Sequence, residues 1–283
     1  MNEKHISIAL IIPYYGKFPW YFDLYLHSVS FNPSIDIFIF SDLPRPSYCP
    51  SNVHFIKMSL QEIQDLASQK LNLEAKIDVP YKLCDFKPAY GFIFSDFIEK
   101  YDFWGFGDID VIYGNIRDFI NDDLLSSHDF ICVRDDYVTG FFSLVRNTAS
   151  TNMLFTKSKD YAEVLSKSAY CNFDECMFYT FSLFTDKVSI YDVSWDIEPM
   201  SYIVKKYNDK KEIRACFEFF VMEGMPGKMI WNNGTLIYDN KSELLLYHLI
   251  DFKKYNKGYN IVYENIPNLY YIDSNRIRYN LII

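Results

Sequence analysis

Residues 103–114 read FWGFGDIDVIYG. The aromatic and glycine run that opens this stretch predicts a buried strand, and Asp108 and Asp110 follow it with only Ile109 between them. In extended chain, residues i and i+2 face the same side. Two carboxylates held there, beside so much apolar surface, repel each other and stay poorly solvated unless a cation sits between them. A hard divalent ion, Mg²⁺ or Mn²⁺, bound through oxygen meets that need and keeps positions open for phosphate oxygens. Gly105, Gly107 and Gly114 permit tight backbone and close approach of a ligand. The plainer alternative is a strand end running into a polar turn, since Asp-x-Asp is a common triplet.

Upstream, residues 6–12 (ISIALII) form an apolar run stopped by Pro13, which predicts a buried parallel strand. Tyr14, Tyr15 and Gly16 follow at its C-terminal end, where open α/β sheets bind ligands. Residues 19–31 carry helical spacing, and residues 35–40 (IDIFIF, ending at Ser41-Asp42) and 53–58 predict further strands. Residues 59–73 predict a helix with Ser59 as N-cap and Glu62 completing a capping box. KLCDFKPAY at 82–90 precedes an apolar helical stretch at 91–100.

Downstream, strands are expected at 129–133, running into Arg134-Asp135-Asp136, and at 140–146 (GFFSLVR). Helices are expected at 149–168 and 174–184, the second opening with Asp174-Glu175, a placement that the helix macrodipole favours by itself. Asn233-Gly234 within residues 229–238 is a hairpin signal. Residues 244–250 (LLLYHLI) predict a buried strand carrying His248, with Asp251, Lys253 and Lys254 just beyond. The alternation of strands and helices predicts an α/β fold, a mainly parallel central sheet flanked by helices, with a β-hairpin in the C-terminal half.

The 283 residues are ample for a real core and are read as a single domain, 1–283. Hydrophobic residues at 49% and charged residues at 23% describe a globular chain. The aromatic content of 19% suits ring stacking on sugars or bases. A formal net charge of −9 argues against a nucleic-acid partner, which needs a basic footprint. An acidic protein handling a phosphorylated small molecule needs local cations, ideally a metal. The six cysteines match neither a zinc ribbon nor a compact disulfide framework and are read as reduced, mostly core residues of a cytosolic protein. No run reaches the roughly 18 apolar residues of a spanning helix, and the N-terminus shows no signal-peptide cleavage pattern.

Taken in order, IIPYYG, FSD, DFKP, GDIDVIYG, GFFSLVRN, FDE and LYHLIDFKK resemble the motifs of glycosyltransferases of the type A fold (GT-A). The resemblance covers residues 5–255 and looks closest to small bacterial enzymes of lipopolysaccharide, capsule or related surface-polysaccharide synthesis. It implies transfer of a sugar from a nucleotide-sugar donor to a hydroxyl of a glycan or lipid-linked acceptor. By matching positions, Asp108 and Asp110 would hold Mn²⁺ or Mg²⁺ against the donor diphosphate. His248 would be a third metal ligand or a diphosphate contact; as a ligand it would favour Mn²⁺, and otherwise it is a hydrogen-bonded strand histidine.

Lys253 or Lys254 would reach the phosphates. Tyr14, Tyr15 and Asp42 would hold base and ribose, which favours UDP as the nucleotide. Lys82, Asp85 and Lys87 look like a donor-side cluster, or else a solvated turn before a proline. Asp174 and Glu175 sit where many members carry the acceptor-activating carboxylate, with Asp135 and Asp136 as competitors; a retaining enzyme needs no such base.

Residues 1–120 would then form the nucleotide-sugar half, 121–255 the acceptor half and 256–283 a tail. The tail places Lys257, Arg276 and Arg278 among tyrosines and ends in Leu281-Ile282-Ile283. That suits peripheral contact with the inner face of a membrane from the cytoplasm, or packing as a last strand. Two other classes compete. A nucleotidyltransferase acting on sugar phosphates would normally show a Gly- and Arg/Lys-rich loop after the first strand, and PYYGKFPW is poor in both. A non-catalytic nucleotide- or glycan-binding protein would have no need of intact Asp108, Asp110 and His248.

Overall fold

β1 (Ile8–Pro13) shows no polar alternation because both of its faces are covered: Ala9, Leu10 and Ile11 are fully buried. In the computed structural model, which describes residues 5–225, 227–257, 259, 261–274 and 276–279, β1 pairs in parallel with β2 (Ile35–Ser41). β2 pairs in parallel with β3 (Val53–Lys57). On its other edge β1 pairs in parallel with β4 (Phe103–Gly107).

After β4 the chain leaves this sheet. β5 (Val111–Tyr113) joins another one, and β6 (Phe130–Cys132), β7 (Phe142–Arg146) and β8 (Ala215–Phe217) return to complete the order β3-β2-β1-β4-β7-β6-β8. β7 runs antiparallel to β4 and β6, and β8 is parallel to β6. The central sheet is therefore mixed but mainly parallel, as expected.

The period-2 geometry of the strands splits the core. Ala9 and Ile11 face one side with Phe40, Trp104 and Phe106, while Ile8, Leu10 and Ile12 face the other with Val111 and Tyr113. Helix α1 (Phe22–Ser30) covers the second side through Phe22, Tyr25, Leu26 and Val29. Helix α2 (Leu60–Leu71) covers the first through Ile63 and Ala67. The α2 capping box forms as its sequence requires: the Ser59 hydroxyl accepts from the Glu62 N–H, and the Glu62 carboxylate accepts from the Ser59 N–H at 2.7 Å.

Two further sheets follow from β9 (Val221–Glu223), β10 (Met229–Asn232), β11 (Thr235–Tyr238), β12 (Ser242–Leu244), β13 (Leu246–His248), β14 (Leu269–Ile272) and β15 (Ile277–Tyr279). One is antiparallel, in the order β12-β11-β10-β14-β15; the other is β5-β13-β9. The β10–β11 hairpin turns through Asn233 at φ 48° and Gly234 at φ 90°, the type I′ signature that Asn-Gly favours.

Several expectations are corrected. Residues 149–168 are not one helix but short turns at Ala149–Asn152, Leu154–Lys157 and Tyr161–Leu165. Serine and threonine hydroxyls divert the backbone there: Thr148 caps the Thr151 N–H, and the Ser158 hydroxyl donates to the Glu198 carbonyl at 2.8 Å. Helix formation at 174–184 is confined to Thr180–Phe184, so Asp174 and Glu175 stand at no helix N-terminus.

The stretch at 91–100 breaks at Phe94 into Tyr90–Ile93 and Ser95–Ile98. Gly91 is needed there, since a Cβ on it would lie 2.2 Å from the Trp104 ring. Residues 244–250 divide between two sheets, with the buried Leu245 carrying the chain across. The described part of the tail takes the packing alternative: Tyr270 stacks on Trp231 at 5.0 Å between ring centroids, and Arg278 pairs with Asp273. Leu281, Ile282 and Ile283 lie outside the described residues. Among those described, no helix is long and apolar enough to cross a membrane.

Candidate functional site

β1 and β4 are parallel neighbours, so their C-terminal ends open on the same edge of the sheet. Tyr14 and Tyr15 leave one strand there, and Asp108 leaves the other. The chain then turns at Ile109 and enters β5, whose Val111 is in register with His248 of β13; His248 is in turn in register with Glu223 of β9. Asp108 and Asp110 thus do not share a face of one strand, as the sequence spacing suggested. They flank a turn between two sheets, and the second sheet supplies the histidine. One ligand atom from each of Asp108, Asp110 and His248 lies within 4.8 Å of the others.

Each of these groups has a cationic or acidic partner. Lys253 donates to Asp110 Oδ2, and His248 Nε2 lies 3.4 Å from the same oxygen. Burial opposes ionisation of Asp110, but His248 and Lys253 outweigh it and hold the carboxyl below the usual range. Burial likewise opposes charge on His248, yet hydrogen bonds to Asp110 and, from Nδ1 at 3.2 Å, to Glu223 push it up to about 9. Glu223 is itself held by Arg134.

On the other side, Lys87 Nζ donates to Asp108 Oδ1 at 2.7 Å and to the Gly140 carbonyl at 3.0 Å. Burial works against the Lys87 charge, and Asp108 and Asp174 more than restore it. Asp174 is 2% exposed, its Oδ1 has no hydrogen-bond partner among the described residues, and Lys87 Nζ stands 3.7 Å from its Oδ2. Burial pushes the Asp174 carboxyl well above its ordinary value, against the pull of Lys87. Glu175 accepts from the Gly140 N–H at 2.8 Å and from the Asn172 amide at 3.0 Å.

The donor set fits a divalent ion. It combines carboxylate oxygen with imidazole and contains no thiolate. The remaining histidine nitrogen is fixed by Glu223, the carboxylate–histidine arrangement that orients metal-binding imidazoles. The ammonium groups of Lys87 and Lys253 compensate the charge that an ion would neutralise. Ligation requires neutral imidazole, so the ion must displace the His248 proton. Affinity for Mn²⁺ should therefore climb as pH rises toward about 9 and level off above it. The slope should approach about tenfold per pH unit for one displaced proton. Calorimetric titration across that range checks this; an affinity independent of pH would contradict it.

A cleft of ≈ 640 Å³ opens over these groups and brings together Tyr14, Tyr15, Lys87, Asp108, Asp110, Asp174, Glu175, His248 and Lys253. Other residues expected at the site do not line it. Lys82 and Asp85 form an ion pair at 2.7 Å with both side chains fully buried. Lys82 also donates to the carbonyls of Val164 and Ala169, and Asp85 accepts the N–H groups of Cys171 and Phe173. Both are buried away from the cleft, so of the expected donor-side cluster Lys87 alone lines it.

Asp42 is exposed beyond the end of β2 and does not line the cleft. Lys254 pairs with Asp251 at 2.8 Å on the surface. Asp135 and Asp136 line a different depression, with Asp136 paired to Arg134 at 2.7 Å. Tyr21, Tyr81, Tyr170 and Asn172 line the cleft without having been singled out, and Glu223 supports it from below. Of these, only Asn172 had a signal, as the neighbour of the FDE triplet.

The chain matches, over residues 10–279, the model described as a family of unknown function (DUF6625), and it belongs to that family. No curated protein matches the chain. Among solved structures it is similar to the galactosyltransferase LgtC in complex with donor and acceptor sugar analogues. The identity there is 10%, over 76% of this chain and 75% of that one, with a TM-score of 0.39. It is also similar to the apo-form glycosyltransferase GlyE of Streptococcus pneumoniae at 15% identity, over 65% and 44% of the two chains, with a TM-score of 0.36. Apo mouse xyloside xylosyltransferase 1 matches at 12% identity over 56% and 71%, with a TM-score of 0.33.

Proposed function

We propose that this member of the family is a metal-dependent glycosyltransferase. It moves a sugar, in the first place from a UDP-hexose, to a hydroxyl of a glycan or lipid-linked oligosaccharide of bacterial surface-polysaccharide synthesis. The observation that carries this reading is the convergence of Asp108, Asp110 and His248 at the floor of a cleft, at the C-terminal ends of parallel strands, with Asp174 and Glu175 across it. When bound, Mn²⁺ or Mg²⁺ supplies positive charge for the diphosphate and for the departing nucleotide.

The rest belongs to the chain. Asp108, Asp110 and His248 hold the ion, with Glu223 fixing the imidazole. Lys253, at the cleft rim, adds positive charge for the phosphates. Tyr14 and Tyr15 flank the end of β1, where a uracil would stack; their hydroxyls donate to the Lys17 and Met58 carbonyls, which turns the rings into fixed walls. Glu175, held from two sides by Gly140 and Asn172, takes the acceptor proton. Burial pushes Asp174 toward its neutral form, which leaves the base role to Glu175.

Most of the donor side comes from residues 1–120, joined by His248 and Lys253, and most of the acceptor side from residues 121–255. A lipid-linked acceptor would bring the protein to the inner face of the membrane, in the cytoplasm.

The test is a panel of nucleotide sugars incubated with the protein and Mn²⁺. The expected product is a nucleoside diphosphate, and UDP should bind more tightly than GDP, CDP or dTDP in calorimetric titrations. Release of pyrophosphate instead would point to nucleotidyl transfer, and no turnover with any donor would point to a binding protein. Tighter binding of another nucleotide would overturn the UDP assignment.

A further inference from the structure

The loop between Asn172 and Thr180 has an unusual backbone. Asn172, Met177 and Phe178 take φ values of 54°, 54° and 67°, the left-handed region that side chains other than glycine rarely adopt. The loop is tied in that shape by Asn172. Its Oδ1 accepts the N–H groups of Cys176 at 3.3 Å and Phe178 at 3.0 Å, and its Nδ2 donates to the Tyr170 hydroxyl at 2.7 Å as well as to Glu175. Backbone held in such conformations persists where the surroundings over-determine it, and it clusters at ligand sites.

What this loop achieves is the position of one ring. Phe178 is 65% exposed, yet it lines the cleft rather than the general surface. Its ring meets Tyr170 edge-on at 5.7 Å, and Tyr170 meets Tyr81 edge-on at 4.6 Å. Tyr81 is 64% exposed and lines the same rim. Two exposed rings thus each contact Tyr170, and all three line the cleft together with Asp174 and Glu175. Leaving two large rings in water is unfavourable unless a ligand covers them.

We infer that Tyr81, Tyr170 and Phe178 form a stacking platform for a pyranose unit of the acceptor, with Asn172 positioning Phe178; the acceptor role rests on the glycosyl-transfer reading above. A pyranose has one face of C–H groups with partial positive charge, which the negative face of an aromatic ring attracts. Its hydroxyls point outward, toward polar groups such as Glu175. Mixed aromatic and polar lining is what such a ligand needs.

Saturation-transfer NMR on the full chain tests this with glucose, galactose, N-acetylglucosamine, lactose, maltose and cellobiose as probes. At least one should bind the wild-type protein. Phe178→Gly should weaken that binding tenfold or more while the thermal midpoint holds or rises, because glycine accepts the left-handed φ without strain. Loss of binding without loss of stability separates a ligand platform from a packing residue. Tyr81→Ala should weaken binding similarly, and Phe178→Tyr should retain it.

Phe181→Ala removes a ring that is 68% exposed but lies outside the cleft and should change nothing. The inference is overturned if no saccharide binds, if Phe178→Gly binds as the wild type does, or if Phe181→Ala weakens binding equally. Titration with UDP and Mn²⁺ reads the transfer assignment separately. Saccharide binding without nucleotide binding keeps the platform and removes its acceptor role, and nucleotide binding without saccharide binding removes the platform and leaves the transfer assignment standing.

Discussion

Asp110→Ala should abolish divalent-dependent nucleotide binding, with metal affinity falling on the order of 100-fold or more. Asp110 is 6% exposed and is the shared partner of Lys253 and His248. Its removal deletes a ligand and leaves the Lys253 ammonium without its carboxylate at the gap, where an ion would have to bind against that charge. Asp108→Ala should be milder, because the Asp108 side chain is 36% exposed and water replaces it more readily. Asp110→Asn keeps the volume and removes the charge, so it separates loss of the ion from loss of packing. Calorimetric titration of Mn²⁺, alone and with UDP, measures all three variants. If Asp110→Ala binds Mn²⁺ with wild-type affinity, the metal assignment is wrong.

The second large effect is on stability. Lys82→Met should destabilise the fold by about 3–5 kcal/mol, the usual cost of leaving a buried charge without its partner. Both side chains of the Lys82–Asp85 pair are fully buried. Lys82 also satisfies two carbonyls, and Asp85 gathers the N–H groups of Cys171 and Phe173. The pair thus fixes the segment that leads directly into Asp174 and Glu175. Urea denaturation of wild type and variant gives the difference. Calorimetric titration of the same variant with UDP separates this structural role from the donor-side role expected from sequence. A phosphate-binding lysine would lose nucleotide affinity at nearly unchanged stability, and that result would restore Lys82 to the donor site.

Much of the architecture is legible in local sequence, for reasons that are themselves local. The unbroken apolar run at 8–13 reads as a strand covered on both faces, Ser59 and Glu62 cap a helix by their own hydrogen bonds, and Asn233-Gly234 adopts the positive φ values of a hairpin turn. The Asp108–Asp110 pair is conspicuous for the same kind of reason, two carboxylates at the end of an apolar strand. Local pattern failed where side chains compete with the backbone. At 149–168, Thr148, Thr151 and Ser158 divert hydrogen bonds and break the helix, and at 172–178 Asn172 does so.

Tertiary structure alone decided the rest. Sequence spacing cannot tell Lys82 from Lys87, five residues apart in one motif. Packing sends the first into a closed ion pair and the second to Asp108. It cannot find Glu223, which lies in no motif and reaches His248 only because β9 and β13 pair in that register. The sequence therefore determined which residue types would gather at the ends of the strands. Which of them meet was decided by strand pairing and burial, because a charged side chain acts through the groups within a few ångströms of it, and those come from distant parts of the chain.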